Sequence, residues 1–127
     1  MTNDVRDALQ TLIAGVQDGR SLHEMVEASP LAVLVANDHG SFVMANAIAS
    51  ALTGYSLSEL RNLSLWQITP DVLEREAEIL WRAFLQQREQ FGTYRLITKN
   101  GQTIVTSYAA RTNVVRGYHV SVLGNPT

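Results

Sequence analysis

The stretch LAVLVANDHGSFVMAN, residues 31–46, decides how this chain is read. Leu31 to Ala36 is a continuous apolar run, too short for an independent helix and suited to a strand buried on both faces. Asn37-Asp38-His39-Gly40 follows as a tight turn, since Asn and Asp side chains bond their own backbone and Gly supplies positive φ. Ser41 to Ala45 returns as the second strand of a hairpin, with Phe42 and Met44 expected on one face. Asn46 then N-caps a helix over Ala47–Thr53, which Gly54 closes. A hairpin running into a short helix points to an α+β chain and away from a bundle.

Downstream, Ser56-Leu57-Ser58-Glu59 is a capping box opening another short helix. Thr69-Pro70-Asp71 starts the longest one, expected to reach about Gln87. Its buried face reads Leu73, Ala77, Leu80, Trp81 and Phe84; Asp71/Arg75 and Glu78/Arg82 are spaced as i,i+4 ion pairs. Phe91-Gly92 is the expected stop, and β pattern begins at Thr93. Tyr94 and Leu96 share a face, Asn100-Gly101 is a hairpin signal, and Ile104–Ala110 and Tyr118–Leu123 are the closing strands. Tyr118, Val120 and Val122 fall on one side of the last. The sum is one antiparallel sheet with helices on one face.

Upstream, residues 3–18 form an amphipathic helix with Val5, Leu9, Leu12 and Val16 at seam spacing and Ile13 widening the stripe. So short a helix needs a seat. Two seats remain open: a second copy of the chain, or the chain's own sheet. Ser21 and Glu24 read as another capping box, for a helix with Leu22, Met25 and Val26 on one face, and Ser29-Pro30 stops it.

The 127 residues fit one domain, with ten Lys/Arg against twelve Asp/Glu, a net charge of −2 and no Cys. That balance gives no basic surface for nucleic acid or an anionic membrane. The absence of Cys removes disulfides, thiolate metal sites, thiol nucleophiles and cysteinyl photoadducts. No apolar run reaches the ~20 residues of a membrane span, so the expected location is cytoplasmic. No His/Asp/Glu cluster has metal-ligand spacing, and no Gly-rich phosphate loop or inward carboxylate pair argues for catalysis.

The order of elements and the residues at their joints resemble the PAS sensor-domain family from about His23 to the C-terminus. Glu27-Ala28-Ser29-Pro30, Asn37-x-x-Gly40, Asn46, Leu52-Thr53-Gly54-Tyr55-Ser56, Glu59-Leu60 and Lys99-Asn100-Gly101 carry the resemblance together. The chain departs from it at Asn37 and Asn62, and at Asn125-Pro126-Thr127, where the family commonly has Asp-Ile/Leu-Thr. The resemblance implies a five-stranded antiparallel sheet in the order 2-1-5-4-3, with flanking helices around a pocket. It divides the chain into an N-terminal capping or dimerisation helix at 1–20 and a PAS domain at 21–127.

Candidate pocket residues are the apolar and aromatic positions read as inward. They are Val33, Val35, Phe42, Met44, Ile48, Leu52, Leu65, Trp66, Ile68, Leu73, Leu80, Trp81 and Phe84 from the first two thirds of the chain. Tyr94, Leu96, Val105, Ser107, Val120 and Val122 come from the last strands, with Ser107, Tyr94 and Trp66 as polar handles. Val5, Leu9, Leu12, Ile13 and Val16 are the candidate dimer interface.

No cofactor is named by the sequence. Haem is disfavoured because the long helix holds no His, and His23, His39 and His119 read as solvated or satisfied. A photoreactive flavin needs the missing Cys, and Trp66-Gln67 alone is thin support for a redox flavin.

The expected function is a non-catalytic bacterial sensor module of two-component or similar signalling. It would homodimerise through the N-terminal helix and sheet and bind a small apolar or aromatic ligand. Its effector would be a histidine kinase, a cyclic-dinucleotide enzyme or a transcription regulator. The alternatives are a ligand-free protein–protein module with a filled core, and a small isomerase- or cyclase-like enzyme.

Overall fold

The computed structural model describes residues 4–70 and 74–126. The chain runs α1 (Asp4–Gln17), α2 (Leu22–Ala28), β1 (Ala32–Ala36), β2 (Phe42–Ala45), α3 (Ala47–Thr53) and α4 (Leu57–Leu60). A 3-10 turn (Leu65–Ile68), α5 (Glu74–Leu85), β3 (Glu89–Ile97), β4 (Thr103–Val115) and β5 (Tyr118–Leu123) complete it. The strands form one antiparallel sheet of five in the order β2-β1-β5-β4-β3, as the resemblance implied.

The hairpin and its cap form for the reasons legible in residues 31–46. β1 is buried at every position. The Asn37 carboxamide accepts from the His39 and Ser41 amides, and Gly40 takes φ +77°. Asn46, 2% exposed, accepts from the Val33 and Ala49 amides and donates to the Val26 and Leu31 carbonyls. One side chain thereby ties α2, β1 and α3 together.

Helices cover both faces of the sheet, not one. α1 and α2 lay Val5, Leu9, Leu12, Ile13, Leu22, Met25 and Val26 against Val33, Val35, Ala109, Val120 and Val122. The opposite face carries Ala32, Leu34, Ala36, Ala110 and Leu123 against Ala49, Leu60, Ile68, Trp81 and Phe84. Burying side chains the size of Leu9 and Leu12, at 0% and 1% exposed, is worth ~1.5–3 kcal/mol each. The stripe expected as a dimer interface is therefore seated on the chain's own sheet, with Val16 half-buried at its end.

β3 starts at Glu89, not Thr93, and Phe91 and Gly92 sit within it opposite Ala109 and Tyr108. β4 likewise outruns its expected end at Ala110. On α5 the buried face is Ala77, Trp81 and Phe84, while Leu80 is 61% exposed. Glu78 pairs with Arg82 at 2.8 Å; the expected Asp71/Arg75 pair lies outside the described residues. Phe42 and Met44 do not share a face. β1 pairs Ala36 with Phe42 but Val35 with Met44, so Val43 is an extra, bulged residue between them. Phe42 turns toward α5 and Met44 toward the α1 side.

Candidate functional site

Between the sheet and α5 lies a cavity of about 290 Å³. Its floor is the centre of the sheet: Leu34 and Ala36 of β1, His119, Ser121 and Leu123 of β5, and Tyr108 and Ala110 of β4. α5 roofs it with Ala77, Leu80, Trp81 and Phe84. Phe42, Leu65, Trp66 and Thr69 close one side, and Gln90 and Tyr94 of β3 the other.

The lip at Trp66 is built into the backbone. Leu65 and Phe42 amides donate to the Gly40 and Leu63 carbonyls, joining the 3-10 turn to the hairpin. The Trp66 ring fills the space beside Gly40, where a Cβ would meet it at 2.6 Å. Gly at this turn thus serves both its positive φ and the close approach of the indole.

α5 is tied to the same hairpin, because the Trp81 indole N–H donates to the Asp38 carbonyl at 2.7 Å. Asp38 also receives His119. The Asn113 amide donates to His119 Nδ1 at 3.0 Å, so the imidazole proton sits on Nε2 and points to the Asp38 carboxylate at 2.8 Å. His119 is 2% exposed, and both its nitrogens are used within the chain. It forms part of the wall and offers no free nitrogen to a haem iron.

The two tyrosines facing the cavity stay protonated. Burial pushes the Tyr94 phenol up to about 12, and burial raises Tyr108 as well. Thr69 donates to the Leu65 carbonyl, which makes its hydroxyl oxygen the acceptor for Tyr94. Tyr108 donates to Gln90 at 3.2 Å. Among the described residues, no carboxylate, ammonium or guanidinium lines the cavity, and no group of three His, Asp or Glu could hold a metal ion.

Of the expected pocket residues, Phe42, Leu65, Trp66, Leu80, Trp81, Phe84 and Tyr94 come together around the cavity. Leu52, Ile68 and Leu96 belong to the same apolar cluster but stand behind its lining. Ile48 is 41% exposed on α3, and Met44 lies across the bulge. Leu73 is outside the described residues.

The strand assignments need correction. Val33, Val35, Val120 and Val122 face α1, and Val105 and Ser107 lie on the same side as Ala109. Their neighbours Leu34, Ala36, His119, Ser121, Leu123, Tyr108 and Ala110 line the cavity instead. On β4 the cause is a one-residue register shift. A two-residue Asn100-Gly101 turn would set Tyr94 opposite Ser107. The observed loop spans Lys99, Asn100 and Gly101, closed by Thr98 and Gln102, and sets Tyr94 opposite Thr106. On β1 and β5 the side bearing the valines, expected to line the pocket, is the seat of α1.

A sheet of this topology, helices on both sides and an apolar cavity under the long helix define a pocket-bearing α+β fold. The family model described as PAS fold matches residues 26–112, and the chain belongs to that family. A domain of a sensory box sensor histidine kinase/response regulator from Geobacter sulfurreducens superposes with a TM-score of 0.70 at 14% identity. That match covers 80% of this chain and 89% of that one. The PAS domain of a two-component sensor histidine kinase gives 0.67 at 17% identity, over 83% and 92% of the two chains. The PAS domain, solved with ethanol, of a LuxR-family transcriptional regulator from Burkholderia thailandensis gives 0.64 at 12% identity, over 84% and 97%. No curated protein matches the chain. PAS domains are typically sensory modules of signal-transduction proteins, linked to kinases or regulators, and are generally not enzymes. Among the described residues no helix is long and apolar enough to cross a membrane.

Proposed function

We propose that this chain is the non-catalytic sensor module of a cytoplasmic bacterial signalling protein, and that its cavity binds a small, mainly apolar molecule. The cavity itself carries this reading. About 290 Å³ of space lies under α5, lined by aliphatic and aromatic side chains with a few polar groups, the form of a small-molecule site. That space speaks against a filled-core interaction module, and the lack of an acidic group among its described lining speaks against an isomerase or cyclase. The ethanol-bound neighbour supports the same reading by fold alone.

Occupancy would act on a linked effector, such as a histidine kinase, cyclic-dinucleotide enzyme or transcription regulator, by favouring one packing of the helices over another. Pairing of two modules belongs to the proposal through surface other than the buried α1 stripe; sedimentation velocity reads it, and a monomer at every concentration removes it. The test of the sensor reading is native mass spectrometry, with solvent extraction, of protein purified from cells and of protein titrated with small neutral aromatics. A bound mass or saturable binding is expected. Protein that binds none of them removes the ligand reading.

A further inference from the structure

Resting on the reading of the cavity as a ligand site, we propose that it selects a neutral, mostly apolar molecule carrying one hydroxyl or carbonyl group, gripped from the sheet by the Ser121 hydroxyl. Ser121 sits on the central strand β5 between Leu34 of β1 and Ala110 of β4, both of which line the cavity. It is half-buried although strands flank it on both sides, so its exposure is to the cavity.

Of the polar groups on the sheet side of the wall the others are engaged, while the Trp66 indole N–H stands at the lip, a donor only. The phenol protons of Tyr94 and Tyr108 go to Thr69 and Gln90, and both nitrogens of His119 are engaged. Ser121 Oγ has no hydrogen-bond partner among the described residues. It is therefore a donor and acceptor left open on an apolar floor, and the surroundings fix the class of ligand. An ionised ligand would lose its hydration with no opposite charge among the described lining residues to meet it, at a large cost. A purely apolar one would cover the hydroxyl and leave it unpaired. A hydroxyl or carbonyl satisfies it while the rest of the molecule meets aliphatic and aromatic walls.

The experiment uses three probes of matched shape on the intact chain: 4-propylphenol, propylbenzene and 4-propylbenzoate. Calorimetry reads affinity. Tryptophan emission reports the location, because the chain's two tryptophans, Trp66 and Trp81, both line the cavity. The phenol is expected to bind about tenfold tighter than propylbenzene, and the benzoate not to bind. In Ser121→Ala the phenol should fall to the level of propylbenzene, while propylbenzene keeps its affinity and so shows that the variant is folded. The comparison of the three probes on the unaltered chain reads the proposal without any variant. Equal binding of phenol and propylbenzene, or phenol binding untouched by Ser121→Ala, overturns the role of Ser121 and leaves the cavity reading standing. Binding of the benzoate as tightly as the phenol overturns the neutral class. Failure of both neutral probes overturns the cavity reading and this inference together.

Discussion

At the scale of single residues, Asn46 does the most with one side chain. Its carboxamide fills all four of its hydrogen-bonding positions inside the fold, two as acceptor and two as donor. Asn46→Ala strips the side-chain acceptor from the Val33 and Ala49 amides and one of two donors from the Val26 and Leu31 carbonyls, which keep their bonds from Ser29, and unfolding by urea should show a loss of ~2–4 kcal/mol. Asn46→Asp keeps the acceptor half but turns a second oxygen toward the Val26 and Leu31 carbonyls, so it should also destabilise. A loss under about 1 kcal/mol in the Ala variant would contradict the role given to this clasp. Tyr94 yields a pH dependence. Its phenol ionises at about 12 in the fold against an ordinary 10.0, so its contribution is fully present below pH 10 and lost as pH rises toward 12. Stability should fall across that window by up to ~1.4 kcal/mol per pH unit, and Tyr94→Phe should flatten the fall. Equal slopes in the two proteins would sink this.

At the scale of elements, α1 is a cap whose removal exposes one face of the sheet. Leu9 is 0% exposed, held among Val and Ala side chains of the strands. Leu9→Ala should cost ~2–5 kcal/mol by chemical denaturation while leaving the sedimentation of the folded protein unchanged. Dissociation of a dimer without loss of stability would instead return the stripe to an interface between copies. The helix itself was legible, as were its stripe, the Asn46 cap and the Gly54 stop, because each rests on short-range spacing or a local hydrogen bond. Which side of the sheet the strands present was not. β1 is apolar at every position, so alternation carries no signal there. On β5 the alternation is clear, but its valine side seats α1 and its Ser121 side meets the cavity. The clue lay in α1: an aliphatic stripe of that width needs a face of equal apolarity, and Val120 and Val122 supply it.

At the scale of the molecule, strand order and element sequence follow from turn chemistry spread along the chain, which is why they could be read before any contact was known. A void leaves no such mark, since aromatic side chains that fill a core and those that frame a space have the same composition. Trp66, Trp81, Phe84 and Tyr94 were recognisable as inward residues, but Ser121 and His119 became site residues only when register placed them there. The sheet that separates the cavity from α1 has a further consequence. On β5, Ser121 faces the cavity while Val120 and Val122 touch the α1 side. The strand is a partition one peptide thick: a ligand held at Ser121 in the proposed site would lie directly behind the two valines that seat the helix. Chamber and outer helix are thus set apart along β5 by the step from one residue to the next.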